Sequence, residues 1–147
     1  MNAQEVIETL RGALSLSALS FDENGVCSVF IPGELELQFE WDADSSRLIA
    51  IGQLGELGDD ADGQRSRALL AANFLFSGTR GESLSLEPDT RKVFLCAAFS
   101  AEGGSAVSLV EWLEGFVDTA QHWRRRLEAR EPPSNTPPPW AAGVMRG

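Results

Sequence analysis

The segment from Glu34 to Trp41 alternates strictly between polar and apolar side chains. Positions 34, 36, 38 and 40 carry glutamate or glutamine, and positions 35, 37, 39 and 41 carry leucine, phenylalanine or tryptophan. Because successive side chains of a β-strand point to opposite faces, this pattern predicts a strand with one solvated face and one apolar face. The segment therefore indicates an antiparallel sheet with one side open to water.

The remaining patterned segments lie on both sides of this strand. Apolar residues at helical spacing predict helices, and short runs rich in β-forming residues predict strands. The predicted elements are, in order, helix Ala3–Leu14, strands Val26–Ile31, Glu34–Trp41 and Arg47–Leu54, helix Gln64–Phe76, strands Ser83–Leu86 and Lys92–Phe99, and a helix from Ser108 through Leu127. The predicted fold class is α+β, in the order α-β-β-β-α-β-β-α, with a twisted antiparallel sheet and three helices.

Local signals place several boundaries of these elements. Asn24-Gly25 favours positive φ and predicts a tight turn before the first strand. Asp62 is expected to cap the second helix, and Ser108 with Glu111 fits a capping box at the start of the third. The second helix becomes apolar nearly all round toward its end, so it needs cover on more than one side, which a partner subunit could supply.

Length and composition suit one soluble domain. The chain has 147 residues, of which 43% are hydrophobic and 23% are charged. No apolar run approaches the roughly 20 residues that cross a bilayer, and the first residues do not resemble a signal peptide. Five of the seven prolines follow Glu131. We therefore expect a domain over 1–130 and an extended or disordered proline-rich tail over 131–147.

The charge is strongly asymmetric. The whole chain carries 12 basic and 22 acidic residues, a net charge of −10, and residues 1–62 contain 13 acids against only Arg11 and Arg47. Such a front half repels phosphate and argues against nucleic acid as a partner. It is compatible with simple solubility and also with attraction of a basic polypeptide.

The residues that could carry catalysis are few. His122 is the single histidine, Lys92 is the single lysine, and Cys27 and Cys96 are far apart in apolar segments. A triad would have to recruit His122, yet neither cysteine lies in a nucleophile motif. The expected state is two reduced, buried thiols, a structural or surface histidine, no cofactor and no metal.

Two charged clusters are interpreted as solvent-exposed segments and not as binding sites. Asp59, Asp60 and Asp62 lack the ligand offsets of a calcium loop and are interpreted as a polar loop before a helix. The arginines 124–126 lie at the end of the last helix, where they favour its dipole, and no aromatic residues interleave with them. The absence of catalytic, phosphate-binding and metal motifs favours a binding protein.

Four segments together resemble the class I chaperones of bacterial type III secretion, the Tir chaperone family. Leu19–Cys27 resembles the family's entry into its first strand, L-x-F-D-E-x-G-x-C, and Leu69–Phe74 resembles its L-L-x-x-N helix segment. The strand Val93–Cys96 and the amphipathic last helix follow in the family's order. The resemblance covers about residues 3–129, including element order, size and acidity.

This resemblance implies a homodimer in the bacterial cytoplasm without catalytic activity or membrane insertion. It implies binding to the N-terminal segment of a secreted effector, which stays non-globular and competent for secretion. An alternative within the same family is a cytoplasmic adaptor or anti-regulator that binds a non-secreted regulatory protein.

The resemblance also suggests which apolar residues form each surface, although some of them must also be core. The residues expected to supply an effector-binding groove are Val6, Leu10, Leu14, Leu35, Leu37, Phe39 and Trp41. The residues expected near the two-fold axis of the dimer are Leu69, Leu70, Phe74, Phe76, Leu84 and Leu86. An isologous interface would bury this second set.

Overall fold

The computed structural model describes residues 1–31 and 35–129. These residues form three α-helices, a short 3₁₀ turn and five strands. The elements are α1 (Ala3–Leu14), β1 (Val26–Ile31), β2 (Leu35–Asp42), β3 (Arg47–Glu56), α2 (Gln64–Asn73), the 3₁₀ turn Phe74–Phe76, β4 (Ser83–Leu86), β5 (Lys92–Ser100) and α3 (Ala106–Glu128). The predicted order and the α+β class are confirmed. Glu34 and the predicted tail 131–147 lie outside the described residues.

The five strands form one antiparallel sheet in the order β1-β2-β3-β5-β4. β3 lies at the centre, as its apolar residues on both faces indicate, and β1 and β4 are the two edges. The predicted turn before β1 is also confirmed, because Gly25 has a φ of 77°. A side chain at Gly25 would approach the carbonyl oxygen of Trp41 to 2.8 Å, so glycine is required there on two grounds.

Helices cover one face of the sheet. Gly52 in β3 marks how closely α3 approaches, since a Cβ atom there would lie 3.4 Å from both Leu37 and Phe116. The N-terminal amine of Met1 donates a hydrogen bond of 2.7 Å to the carbonyl oxygen of Ala101, which joins the start of α1 to the β5–α3 loop. The core therefore lies between this face of the sheet and the two helices α1 and α3.

The third helix begins one turn earlier than the sequence suggested. Ser105 is the N-cap, and its side chain accepts a hydrogen bond from the backbone N–H of Ser108. The Ser108 hydroxyl in turn accepts from the backbone N–H of Ser105. The predicted box of Ser108 with Glu111 is therefore wrong, because Ser105 already satisfies the first turn and places Ser108 inside the helix.

The second helix also begins differently from the prediction. Its N-cap is Gly63, in the left-handed conformation, and not Asp62. The carboxylate of Asp60 accepts the N–H groups of Arg65 at 2.7 Å and Ser66 at 3.1 Å, so the cap is supplied from further upstream. The carboxylate of Asp62 accepts from the N–H of Gln64 at 3.2 Å, and its backbone carbonyl oxygen accepts from the guanidinium of Arg67 at 3.3 Å.

The second helix ends three residues before the predicted Phe76. Leu75 and Phe76 have φ angles of 50° and 56°, which an α-helix cannot contain. The left-handed conformation costs about 1 kcal/mol at each such residue. The chain thus leaves α2 through a tight, strained turn that exposes three consecutive apolar side chains.

Candidate functional site

The predicted groove residues lie mostly inside the protomer. The five that are buried in its core are Val6, Leu10, Leu35, Leu37 and Phe39. Leu14 and Trp41 are half-buried. Val6, Leu10, Leu37 and Phe39 line none of the depressions described below, so these four offer no surface to a partner in the protomer and their assignment to a surface groove is corrected. Leu35 is also buried, but it lies at the base of one of these depressions.

The exposed apolar residue near this region is Phe30, on the edge strand β1. Phe30 is 70% exposed, and Leu16 in the α1–β1 connection is 39% exposed. Both residues line a depression of about 440 Å³ formed by Ser15–Leu19 and Ser28–Phe30, which we call the linker pocket. Its walls are the connection after α1 and the outermost strand of the sheet. Phe30 is not predicted as a site residue from the sequence because it lies on the opposite face of β1 from the apolar stripe of the sheet.

A second depression, of about 480 Å³, borders the other side of Phe30. We call it the carboxylate pocket. Its large apolar residues are Phe30, Ile31, Leu35, Leu54 and Leu127. Its charged residues are Glu36, Glu56, Arg124 and Glu128. It lies where the end of β1, the start of β2, the end of β3 and the last turn of α3 meet, and Phe30 is common to both pockets.

A separate apolar surface lies at the opposite edge of the sheet. We call it the apolar corner, and it consists of the exposed residues Leu70, Phe74, Leu75, Phe76 and Leu86. Leu70 is 71% exposed and Phe74 is 67% exposed. Leu69 and Leu84, which were predicted with this group, are buried beneath it. The structure therefore brings the predicted dimer residues together in one region, with four of the six at the surface.

Asn73 attaches this corner to the sheet. Its side-chain amide donates to the carbonyl oxygen of Leu84 at 3.0 Å and accepts from the N–H of Leu84 at 2.9 Å. These two bonds satisfy part of the free edge of β4 in the way that a neighbouring strand would. A small apolar cavity of about 180 Å³ lies between α2 and β4, with Leu70 and Leu86 among its lining residues.

A buried carboxyl group lies between the apolar corner and α3. Glu82 is 6% exposed, and burial is the main cause that raises its pKa to about 8, against weaker lowering by Thr119 and Arg80. Thr79, in the same turn, is completely buried. Trp123 of α3 donates from its indole nitrogen to the carbonyl oxygen of Gly78 at 2.8 Å. These contacts fix the turn that carries the strained end of α2.

The histidine and the two cysteines occupy buried or half-buried positions. His122 is half-buried, its ring meets the edge of Trp123, and burial and then Arg126 and Arg125 lower its pKa. Cys27 is buried, and burial raises the pKa of its thiol to about 11. Cys96 is half-buried rather than buried, which corrects the prediction for that residue. Both thiols are free.

Among the residues that the structure describes, no group of three or more histidine, cysteine, aspartate or glutamate side chains is arranged to hold a metal ion. Over the same residues, no helix has the length and apolar character that crossing a membrane requires.

Solved structures of chaperone complexes share this fold. The chain is 20% identical to a chain of the HopA1–SchA chaperone–effector complex, with a TM-score of 0.63 over 83% of this chain and 91% of that one. For the ExsC–ExsE complex the identity is 20% and the TM-score 0.67, over 88% and 95% of the two chains. For the Yersinia pestis type III secretion chaperone SycH with a stable fragment of YscM2, the identity is 21% and the TM-score 0.59, over 81% and 97%.

In sequence, this chain matches the model of a protein family but no individual curated protein. No curated protein sequence matches this chain significantly. Residues 5–124 match the Tir chaperone protein (CesT) family, which agrees with the resemblance that the motifs suggested. Because the match covers most of the chain, the protein belongs to this family of type III secretion chaperones, whose members are not enzymes.

Proposed function

We propose that this chaperone binds the N-terminal segment of a secreted effector in the bacterial cytoplasm and keeps that segment non-globular and competent for secretion. The observation that carries the proposal is Phe30, a large apolar side chain exposed on an edge strand between two depressions. Family membership supports a protein partner, and the HopA1–SchA complex is an example of a related fold bound to an effector.

The edge strand gives the segment a place to bind. Among residues 1–31 and 35–129, no strand pairs with the outer side of β1, so an extended segment can pair with its backbone groups. Alternate side chains of such a segment point to the same side and can enter the linker pocket and the carboxylate pocket beside Phe30. Leu14 and Trp41 line neither pocket, but they are half-buried, and we keep them as a separate proposed contribution to the effector surface. This arrangement holds the partner extended, as secretion requires.

We also propose that the protein works as a homodimer formed through the apolar corner. Large exposed apolar patches on soluble proteins usually mark interaction sites. A two-fold axis near Leu70 and Phe74 would place each residue against the same surface of the second copy. This surface lies around β4, at the other edge of the sheet from β1, so dimer formation leaves the proposed effector surface accessible.

Co-purification from the native cytoplasm tests the proposed function. The tagged protein is isolated, its partner is identified, and the complex is treated briefly with protease. A secreted partner protected near its N-terminus supports the proposal. A stable complex with a non-secreted regulatory protein would instead support the adaptor or anti-regulator function.

A pair of variants tests the proposed surface. Phe30→Asp should reduce capture of the partner strongly, because it places a charge at the centre of the apolar surface. Val107→Asp is the matched control, since Val107 is 69% exposed but lies at the start of α3. Equal capture by Phe30→Asp and the unmodified protein, with both folded by circular dichroism, would contradict the proposed site.

A further inference from the structure

The carboxylate pocket combines an apolar floor with an acidic border. Leu35 and Leu54 are buried at its base, and Leu127 closes it from the last turn of α3. The side chains of these residues come from three different elements that the fold holds together. Such a floor favours a large apolar side chain, because burial releases about 25 cal/mol per Å² of apolar surface.

The charged residues that line this pocket carry more negative than positive charge. Three carboxylates, on Glu36, Glu56 and Glu128, face one guanidinium, on Arg124. That guanidinium already forms an ion pair of 3.1 Å with Glu128. The lining residues that the structure describes thus carry a formal charge of −2, within a chain whose net charge is −10. A partner that covers these carboxylates with apolar or acidic groups would leave them desolvated or repelled.

We propose that the carboxylate pocket recognises an apolar anchor residue of the partner that is flanked by arginine or lysine. This inference rests on the proposed function and specifies the chemistry of the segment that the chaperone selects. The apolar side chain enters the pocket, and the flanking cations meet Glu36 and Glu56 at its border. Such complementarity accelerates encounter and disfavours acidic segments.

The same charges argue against a second copy of this chain as the occupant of the pocket. A second copy brings the same net charge of −10, and its own pocket presents the same three carboxylates. Like charges brought into contact cost free energy. The apolar corner, whose exposed members are all uncharged, is the surface suited to a second copy.

Two synthetic peptides test the inference with the full-length protein. Both contain the same central pair of leucines, which is flanked by arginines in one peptide and by glutamates in the other. We expect fluorescence anisotropy to show the arginine peptide binding at least about tenfold more tightly at low salt, with the difference shrinking at high salt. Equal affinities for the two peptides, or binding of neither, would overturn the inference.

A double variant assigns the preference to this pocket. Glu36→Gln with Glu56→Gln should reduce the preference for the arginine peptide to about threefold or less. The control with the same charge change is Glu111→Gln with Glu114→Gln, two exposed residues that lie about 20 Å or more along α3 from Glu128. If both double variants lower the preference equally, the charge of the whole protein is responsible and the inference fails.

Capture of the native partner by the two variants distinguishes failure of this inference from failure of the proposed function. If Phe30→Asp abolishes capture of that partner and the Glu36→Gln, Glu56→Gln variant does not weaken it, the proposed function stands and the charge selection is wrong. If the purified protein captures no partner and binds neither peptide, both proposals fail.

Discussion

Glu82 shows how a single side chain can make the stability of the protein depend on pH. Its carboxyl group is buried in the turn before β4, where ionisation is costly because water is excluded. The pKa is raised from 4.5 to about 8 in the folded protein. The folded state therefore retains a proton that the unfolded chain releases. The contribution of the protonated Glu82 carboxyl group to the free energy of unfolding is fully present below pH 4.5. It is lost as the pH rises through about 8.

We expect Glu82→Gln to remove this dependence, because glutamine is neutral at every pH. Relative to the variant, the unmodified protein should lose about 1 kcal/mol of unfolding free energy per pH unit within that window. Urea unfolding followed by circular dichroism at pH 5, 6.5 and 8 measures the difference. Glu111→Gln, at an exposed position, should keep the slope of the unmodified protein. Parallel pH profiles for all three proteins would contradict the role given to Glu82.

Single residues also mark the limit of prediction from the sequence. The alternation in β2 correctly separates Leu37 and Phe39 from the glutamates, because side-chain direction in a strand is a local property. It does not reveal whether the apolar face is covered, since that depends on α1 and α3 packing over it. Phe30 carries the opposite lesson: an isolated apolar residue has no periodic signal, and its exposure follows from its position opposite Glu36, on the face of the sheet that the helices leave uncovered.

At the scale of elements, the sequence patterns predict that a helix or strand is present better than they predict the residues at which it begins and ends. Each helix and strand is a run of residues with its own period, so its presence follows from local sequence. The start of α2 depends instead on hydrogen bonds with residues outside the helix. The carboxylate of Asp60 holds the first turn, and Arg65 donates to the carbonyl oxygen of Leu127 at 2.8 Å, at the end of α3. Neither contact has a fixed spacing in the sequence.

The start of α2 is open to a direct test. Asp60→Ala removes the acceptor for two backbone N–H groups and for the Ser66 hydroxyl, so it should lower the unfolding free energy by about 1 kcal/mol. Asp62→Ala removes one longer bond and should cost less than about 0.5 kcal/mol. Urea unfolding of both variants gives the comparison. A larger loss for Asp62→Ala would restore the cap that the sequence suggested.

At the scale of the whole molecule, the sheet separates two surfaces of different character. The β1 edge has Phe30 beside carboxylates, whereas the β4 edge has the uncharged apolar corner. The α+β fold and the chaperone family follow from motifs and element order, which are properties of the sequence. The division of apolar residues into core, proposed effector surface and proposed dimer surface requires the packing of the complete protomer.

The apolar corner gives the clearest prediction for the assembled protein. Leu70→Glu places a charge where the proposed two-fold axis would bury leucine in both copies, so each dimer loses two apolar contacts and gains two buried charges. Burial of one leucine is worth about 1.5–3 kcal/mol, which predicts a rise in the dimer dissociation constant of at least about 100-fold. Light scattering at decreasing concentrations should show a single-chain mass for Leu70→Glu where the unmodified protein still has the mass of two chains.

The matched control for this experiment is Val107→Glu, because Val107 is as exposed as Leu70 but lies outside the apolar corner. It should leave the mass unchanged. Unaltered circular dichroism for Leu70→Glu would show that the protomer still folds, as expected for a side chain on its surface. If Leu70→Glu stays dimeric, or if Val107→Glu dissociates equally, the interface lies elsewhere. The apolar side chains of the strained turn at Leu75 and Phe76 would then serve a different partner. Loss of effector capture by the Leu70→Glu protein would identify the effector as that partner.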